Sequence, residues 1–182
     1  MDTEVSGIGL PISPEYAGTN IMTGSATRVT IRRAGSKDVL GVIDCLAAAF
    51  EPYRQSYTQD AFRNTVPTAG AAQLRLKEMT ILIAEHGSSS IIGSISYQVL
   101  DSCEGHLRGM AVIPEVQRKG IAERMLLAAE AALRKLGCSR VTLDTTLPLK
   151  RATRFYMQHE YKATGITKDF FGMPLFEFEK SL

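Results

Sequence analysis

The run Gln117-Arg118-Lys119-Gly120-Ile121-Ala122 has the residue types of an anion cradle. Before it, Leu107 to Ile113 is apolar enough for a buried strand, and Pro114 and Glu115 mark a turn. After it, apolar residues recur at helical spacing as far as Gly137, which predicts a long helix whose first turn carries the basic run. The first N–H groups of a helix lack intrahelical partners and sit at the positive end of its dipole, so backbone alone can hold a phosphate there. Gly120 leaves room for close approach, Ala122 keeps the next turn small, and Arg118 and Lys119 add full charges. Two other phosphate motifs fit poorly. A P-loop needs Gly-x-x-x-x-Gly-Lys-Ser/Thr, but only one glycine lies in this turn and Ile121 follows it. The dinucleotide fingerprint needs three glycines, although Asp144 stands at a suitable distance downstream.

Several elements must position this turn. Residues 1–26, with Gly7, Gly9, Pro11, Pro14, Gly18 and Gly24 among small polar residues, read as a flexible tail, with a docking arm as the alternative, before a domain over 27–182. Arg28 to Arg32 alternates as a strand, and Ser36 is placed to cap a helix whose Val39, Val42, Ile43, Leu46, Ala47 and Phe50 share one face. Between 53 and 78, Thr58 caps a short helix through Phe62, and the region of Pro67 and Gly70 reads as looser chain. Thr80 to Glu85 and Ile91 to Leu100 form a hairpin around His86-Gly87-Ser88-Ser89-Ser90. In the long helix, Ile121, Met125, Ala129, Ala132, Leu133 and Leu136 are expected inside and Glu123, Glu130 and Arg134 outside, with Glu130 and Arg134 forming an i,i+4 pair. Arg140 to Thr145 is a further strand, parallel to the one at Leu107 because a helix crossover joins them. A helix from Lys150 to His159 and two strands, Tyr161 to Gly165 and Leu175 to Glu179, complete the chain.

The strand ending Met110-Ala111-Val112-Ile113-Pro114, the turn after it, and the later Ala152-Thr153-Arg154-Phe155-Tyr156 closely resemble two blocks of the GCN5-related N-acetyltransferase (GNAT) family. Their order and spacing, bridged by a helix and a parallel strand, strengthen the resemblance. It implies a single-domain α/β fold with a mixed, mostly antiparallel sheet, a central pair of splayed parallel strands and flanking helices. It implies acetyl-CoA as cosubstrate, with no metal: backbone of Met110, Ala111 and Val112 would pair with the pantetheine arm, and Gln117, Arg118, Lys119, Gly120, Ile121 and Ala122 would hold the diphosphate. Tyr156 matches the tyrosine that protonates the leaving thiolate, a reasonable transfer from a phenol of pKa about 10 to a thiolate of about 8.5. His106, with Glu104 nearby, falls where many relatives carry a general base. Leu149 replaces a frequent asparagine, and Glu160-Tyr161 replaces the usual Gly-Phe. Lys150, Arg151 and Arg154 are additional candidates for CoA phosphates. The acceptor is expected to be read between residues 53 and 78.

The chain has 182 residues and 45% hydrophobic content, enough for one full core. A net charge of +2 with scattered basic residues gives no nucleic-acid footprint. No apolar run approaches the roughly 18 residues of a membrane span, and the N-terminus lacks a basic n-region. Cys45, Cys103 and Cys138 are odd in number and share no metal-ligand spacing, which suits a cytoplasmic setting, and Cys103 and Cys138 read as buried small residues. The expected function is transfer of acetyl from acetyl-CoA to a primary amine of a small molecule or of a peptide or protein. The alternative is a non-catalytic acyl-CoA-sensing or interaction domain. A homodimer through the carboxyl-terminal strands is compatible with the resemblance alone.

Overall fold

Alternating side chains on seven strands cover both faces of one sheet, seen in a computed structural model that describes residues 29–87, 90–101 and 103–182. The expected N-terminal tail therefore lies outside the described residues, as do Ser88 and Ser89 of the hairpin turn. The strands are β1 (Val29–Arg33), β2 (Thr80–His86), β3 (Ser90–Val99), β4 (Glu104–Val112), β5 (Arg140–Thr146), β6 (Lys162–Phe170) and β7 (Met173–Ser181), in the order β1-β2-β3-β4-β5-β7-β6. Only β4 and β5 are parallel; the other neighbours run antiparallel. The helices are α1 (Val39–Phe50), α2 (Gln59–Thr65), α3 (Ala69–Glu78), α4 (Ile121–Lys135) and α5 (Lys150–Gln158).

Two apolar layers hold the sheet between helices. Leu82 and Ala84 of β2 join Met125, Leu126, Ala129 and Leu133 of α4, whereas Ile81 and Ile83 join Val42, Cys45 and Leu46 of α1. That division follows from successive residues of a strand pointing to opposite faces. The expected mixed sheet with helices on both faces is thus present.

Several local expectations need correction. Ser36 belongs to a 3-10 turn, Ser36–Asp38, and does not cap α1. Asp38 instead accepts from the Gly35 amide at 2.7 Å and from Arg32, which holds its carboxyl down at about 2. The chain around Gly70 is the helix α3, started by Thr68, whose hydroxyl accepts from the Ala71 amide. Leu136 is 57% exposed because α4 ends at Lys135. Glu130 is fully buried: the Lys180 ammonium lies 3.0 Å from both carboxylate oxygens, the Tyr161 hydroxyl donates at 3.0 Å, and Arg134 stands 3.6 Å away. A pattern that assigns carboxylates to solvent could not anticipate partners arriving from β7. Cys103 is exposed in the turn before β4, while Cys138 is buried.

Candidate functional site

The parallel strands separate where they are most needed apart. Pairing runs from Glu104↔Arg140 to Leu107↔Leu143 and then stops. Beyond it, Ala111 and Val112 remain on β3 and Asp144 to Thr146 remain on β7. Gly109 lies at this point with φ +62. Three steps of β4, from Arg108 to Ala111, face two of β3, from Ser96 to Ser94, so β4 carries one extra residue. Both Leu107 and Met110 consequently face the α4 layer, which unbroken alternation would forbid.

The helix α5 lies beside this gap. Tyr156 is 8% exposed, and its hydroxyl donates to Met110 Sδ at 3.4 Å. Burial raises its phenol well above the ordinary range, so it keeps its proton at neutral pH. Two cavities meet at Tyr156 and Met110, sharing Phe50, Leu149 and Ala152 as walls. The larger, about 510 Å³, is lined by Met110, Ala111, Val112, Gln117, Arg118, Gly120, Ile121 and Ala122. Lys119 is exposed and lines neither cavity. The smaller, about 230 Å³, contains His106 and Asp144 on the sheet side and Tyr57, Asn64 and Arg75 on the helical side.

The basic run does not form the first helical turn. A 3-10 turn over Pro114–Val116 leads into Gln117–Gly120, and α4 begins at Ile121. Arg118 at φ +64 and Gly120 at φ +74 are left-handed, which prevents the helix from extending backwards through them. Left-handed residues within a turn curl successive amides into a concave anion site. A Cβ at Gly120 would meet nothing within 4 Å, so the approach is open and the glycine is required by conformation. Gln117 anchors the turn, donating to Val112 O at 2.9 Å and accepting from Arg151 at 3.1 Å. Among the basic residues of α5, Arg151 lines this cavity, whereas Lys150 and Arg154 line a separate groove. Tyr53 lies on the wall of the large cavity, Tyr57 bonds Thr146 at 2.6 Å, and Arg54 stays exposed beside Glu51. Glu160 adopts φ +71 at the position where Gly is usual in the resembling family, and Tyr161 is buried.

His106 belongs to a polar cluster shared by β4 and β5. Its Nδ1 lies 2.9 Å from Thr142 Oγ1, which is also 3.3 Å from Glu104 Oε1 and 3.3 Å from Gly105 O. The latter two can only accept, and the threonine has a single proton to give. In the Nδ1–H tautomer Thr142 accepts from the ring and Nε2 is left free to act as a base; in the other tautomer Thr142 donates to Nδ1 and Nε2–H faces Asp144. Nε2 is 3.7 Å from Asp144 Oδ2, beyond a hydrogen bond. Burial lowers the imidazole pKa, and the Asp144 charge opposes this less strongly, so the ring is neutral near pH 7. Lys168 meets Glu177 at 2.7 Å and Asp144 at 3.5 Å beside it. The sequence singled out His106 and Glu104 but not Thr142, whose role requires the β4–β5 register.

Among the described residues no three His, Cys, Asp or Glu side chains converge as a metal site, and no helix is long and apolar enough to cross a membrane.

Residues 41–161 match the Acetyltransferase (GNAT) family. The chain is 28% identical over 138 residues to the uncharacterized N-acetyltransferase YhfO of Bacillus subtilis (strain 168), covering 74% of this chain and 90% of that protein. Its fold is similar to the PaiA N-acetyltransferase of Thermoplasma acidophilum in complex with coenzyme A, with TM-score 0.70, 21% identity and coverage of 85% and 99% of the two chains. It is also similar to a GNAT acetyltransferase of Elizabethkingia anophelis with acetyl-CoA bound, with TM-score 0.62, 14% identity and coverage of 85% and 98%.

Proposed function

The chain belongs to the acetyltransferase (GNAT) family, whose members are acetyl-CoA-dependent acyltransferases, and on that footing we propose that it passes an acetyl group directly to a primary amine. One observation carries the reading: Tyr156 lines both the larger and the smaller cavity, and its hydroxyl meets Met110, which lines both as well. Acetyl-CoA would supply an acetyl group activated as a thioester. The residues present suit it. The open turn at Arg118–Ala122 offers amides and a guanidinium to a diphosphate. The free inner edge of β4 at Met110–Val112 offers backbone groups to an extended amide chain, because β5 has turned away.

The smaller cavity would receive the amine. His106 Nε2 takes the proton the nitrogen loses as its bond to the acetyl carbon forms, directly or through a water. In the Nδ1–H tautomer the ring donates to Thr142, which in turn can donate to Glu104, and Nε2 is free to accept that proton. A backbone N–H near Ala111 draws charge onto the acetyl oxygen. Tyr156 gives its phenolic proton to sulfur as the carbon–sulfur bond breaks, a transfer that burial of the phenol opposes and that needs the developing thiolate withdrawn from water in the same way. The proton gained by His106 and the one lost by Tyr156 are later exchanged with solvent, restoring both groups.

Direct transfer is tested by initial-rate kinetics with acetyl-CoA and a panel of primary amines, following thiol release. Intersecting double-reciprocal lines are expected, because both substrates must be bound together. Parallel lines would indicate an acetylated enzyme and contradict the proposal, as would binding of acetyl-CoA with no amine-dependent thiol release.

A further inference from the structure

The smaller cavity has oppositely charged ends. Near His106 it presents Asp144, with Glu177 behind it on the paired strand β7, and Lys168 pairs with both, so that end keeps one net negative charge. At the other end, Arg75 from the last turn of α3 and Arg108 from β4 converge on a single neutral residue. Arg75 donates to the Asn64 carbonyl and Arg108 to the Asn64 side-chain oxygen. His106 and Arg108 are two residues apart on one strand before the bulge at Gly109, so they share a face about 7 Å apart.

Elsewhere in the molecule, guanidinium groups of Arg32, Arg54, Arg63, Arg134 and Arg140 each lie within 4.0 Å of a carboxylate. Among the described residues Arg75 and Arg108 meet none, nor do Arg33, Arg118, Arg124, Arg151 and Arg154, but Arg75 and Arg108 are the two arginines that line this cavity. Burial and then the neighbouring Arg108 charge depress Arg75 to about 10, with Glu78 offsetting this more weakly. Two cations held together by one asparagine, one of them largely withdrawn from water, form an incomplete electrostatic arrangement. A carboxylate completes it, since planar guanidinium groups present paired donors to its two oxygens.

We propose that Arg75, Arg108 and Asn64 form a carboxylate subsite, so that the acceptor is a small amino acid whose amine lies at His106 and whose carboxylate lies between the two guanidinium groups. This rests on the smaller cavity being the acceptor site. Its volume of about 230 Å³ suits a molecule of that size. Asp144, shared with Lys168, favours a cationic amine, which sheds one proton to solvent before attack, and the arginines favour the acid end. The cavity thereby discriminates against polyamines and simple alkylamines, which would place a cation or nothing beside Arg75.

The test compares glycine, β-alanine, γ-aminobutyrate and leucine with their amides and with the amines lacking the carboxylate, measuring kcat/KM by thiol release. The best acid is expected to exceed its two neutral counterparts by about tenfold or more. Arg108→Gln, at an exposed position that leaves the core untouched, and Arg75→Gln should each collapse that ratio towards one, chiefly through KM for the acid. Neutral amines turning over as well as the acids would overturn the subsite while leaving the transfer reaction standing. If no amine is acetylated, the transfer reading fails, and the subsite is decided by calorimetry on CoA-saturated protein. There, N-acetyl-β-alanine should bind at least about tenfold more tightly than N-acetyl-β-alaninamide, a preference lost in Arg108→Gln. Equal affinity for the two would overturn it.

Discussion

The two cavities that meet at Tyr156 are built in different ways. The larger one is made chiefly from one contiguous stretch, the end of β4, the turn and the start of α4, with α5 closing its side. The chemistry proposed for it is mostly backbone. The smaller is assembled from side chains on α1, α2, α3, β4, β5 and α5 with the edge of β6 and β7. Its chemistry depends on registers and approaches that arise only after folding. A donor common to a family can be held by local backbone geometry, whereas a particular acceptor is read by side chains that vary independently of that scaffold.

Substitutions can break or sharpen this contrast. Tyr156→Phe, at the junction, should reduce kcat by roughly 10²- to 10⁴-fold with acetyl-CoA affinity retained, read by steady-state thiol release alongside calorimetry. An unchanged kcat would remove Tyr156 from the chemistry. His106→Asn should cost about 10²-fold in kcat, without altering acetyl-CoA affinity. The imidazole must be unprotonated to act, and burial lowers its pKa, so wild-type kcat should rise with pH through a limb below about 6.5 that the variant lacks. A limb above neutrality, or one surviving in the variant, would exclude this role.

On the donor side smaller effects are expected. Gly120→Ala forces a side chain into a left-handed conformation costing roughly 1–2 kcal/mol, and should raise KM for acetyl-CoA by about tenfold with little change in acceptor KM. Arg118→Ala removes an exposed charge from the same turn. It should raise KM for acetyl-CoA only a few-fold, an effect diminishing with added salt in a titration of rate against ionic strength. A larger change in acceptor KM than in donor KM for either variant would erase the distinction between the cavities.

What could be read from the amino acids follows the same division. The strand, the basic turn, the long helix and the helix bearing Tyr156 were each marked by a continuous run, and the βαβ order required β4 and β5 to be parallel. The sequence reads Gln117–Gly120 as part of the first turn of α4, four residues ahead of its start at Ile121, because the positive φ of Arg118 has no residue-type signature comparable to that of Gly120. Arg75 escaped notice because the sequence around Gly70 suggested a loop, although Thr68 before an alanine-rich segment marked the start of α3. Thr142 and Asn64 gain meaning only through partners 36 and 44 positions away. The burial of Glu130 likewise depends on Lys180, 50 positions along the chain.

The arrangement is tested most directly by a crystal structure with CoA bound. The account requires the diphosphate to rest on the amides of Arg118 to Ala122 and the thiol to lie within hydrogen-bonding distance of the Tyr156 hydroxyl. A CoA thiol directed away from the junction, with the smaller cavity unreachable from it, would contradict the account.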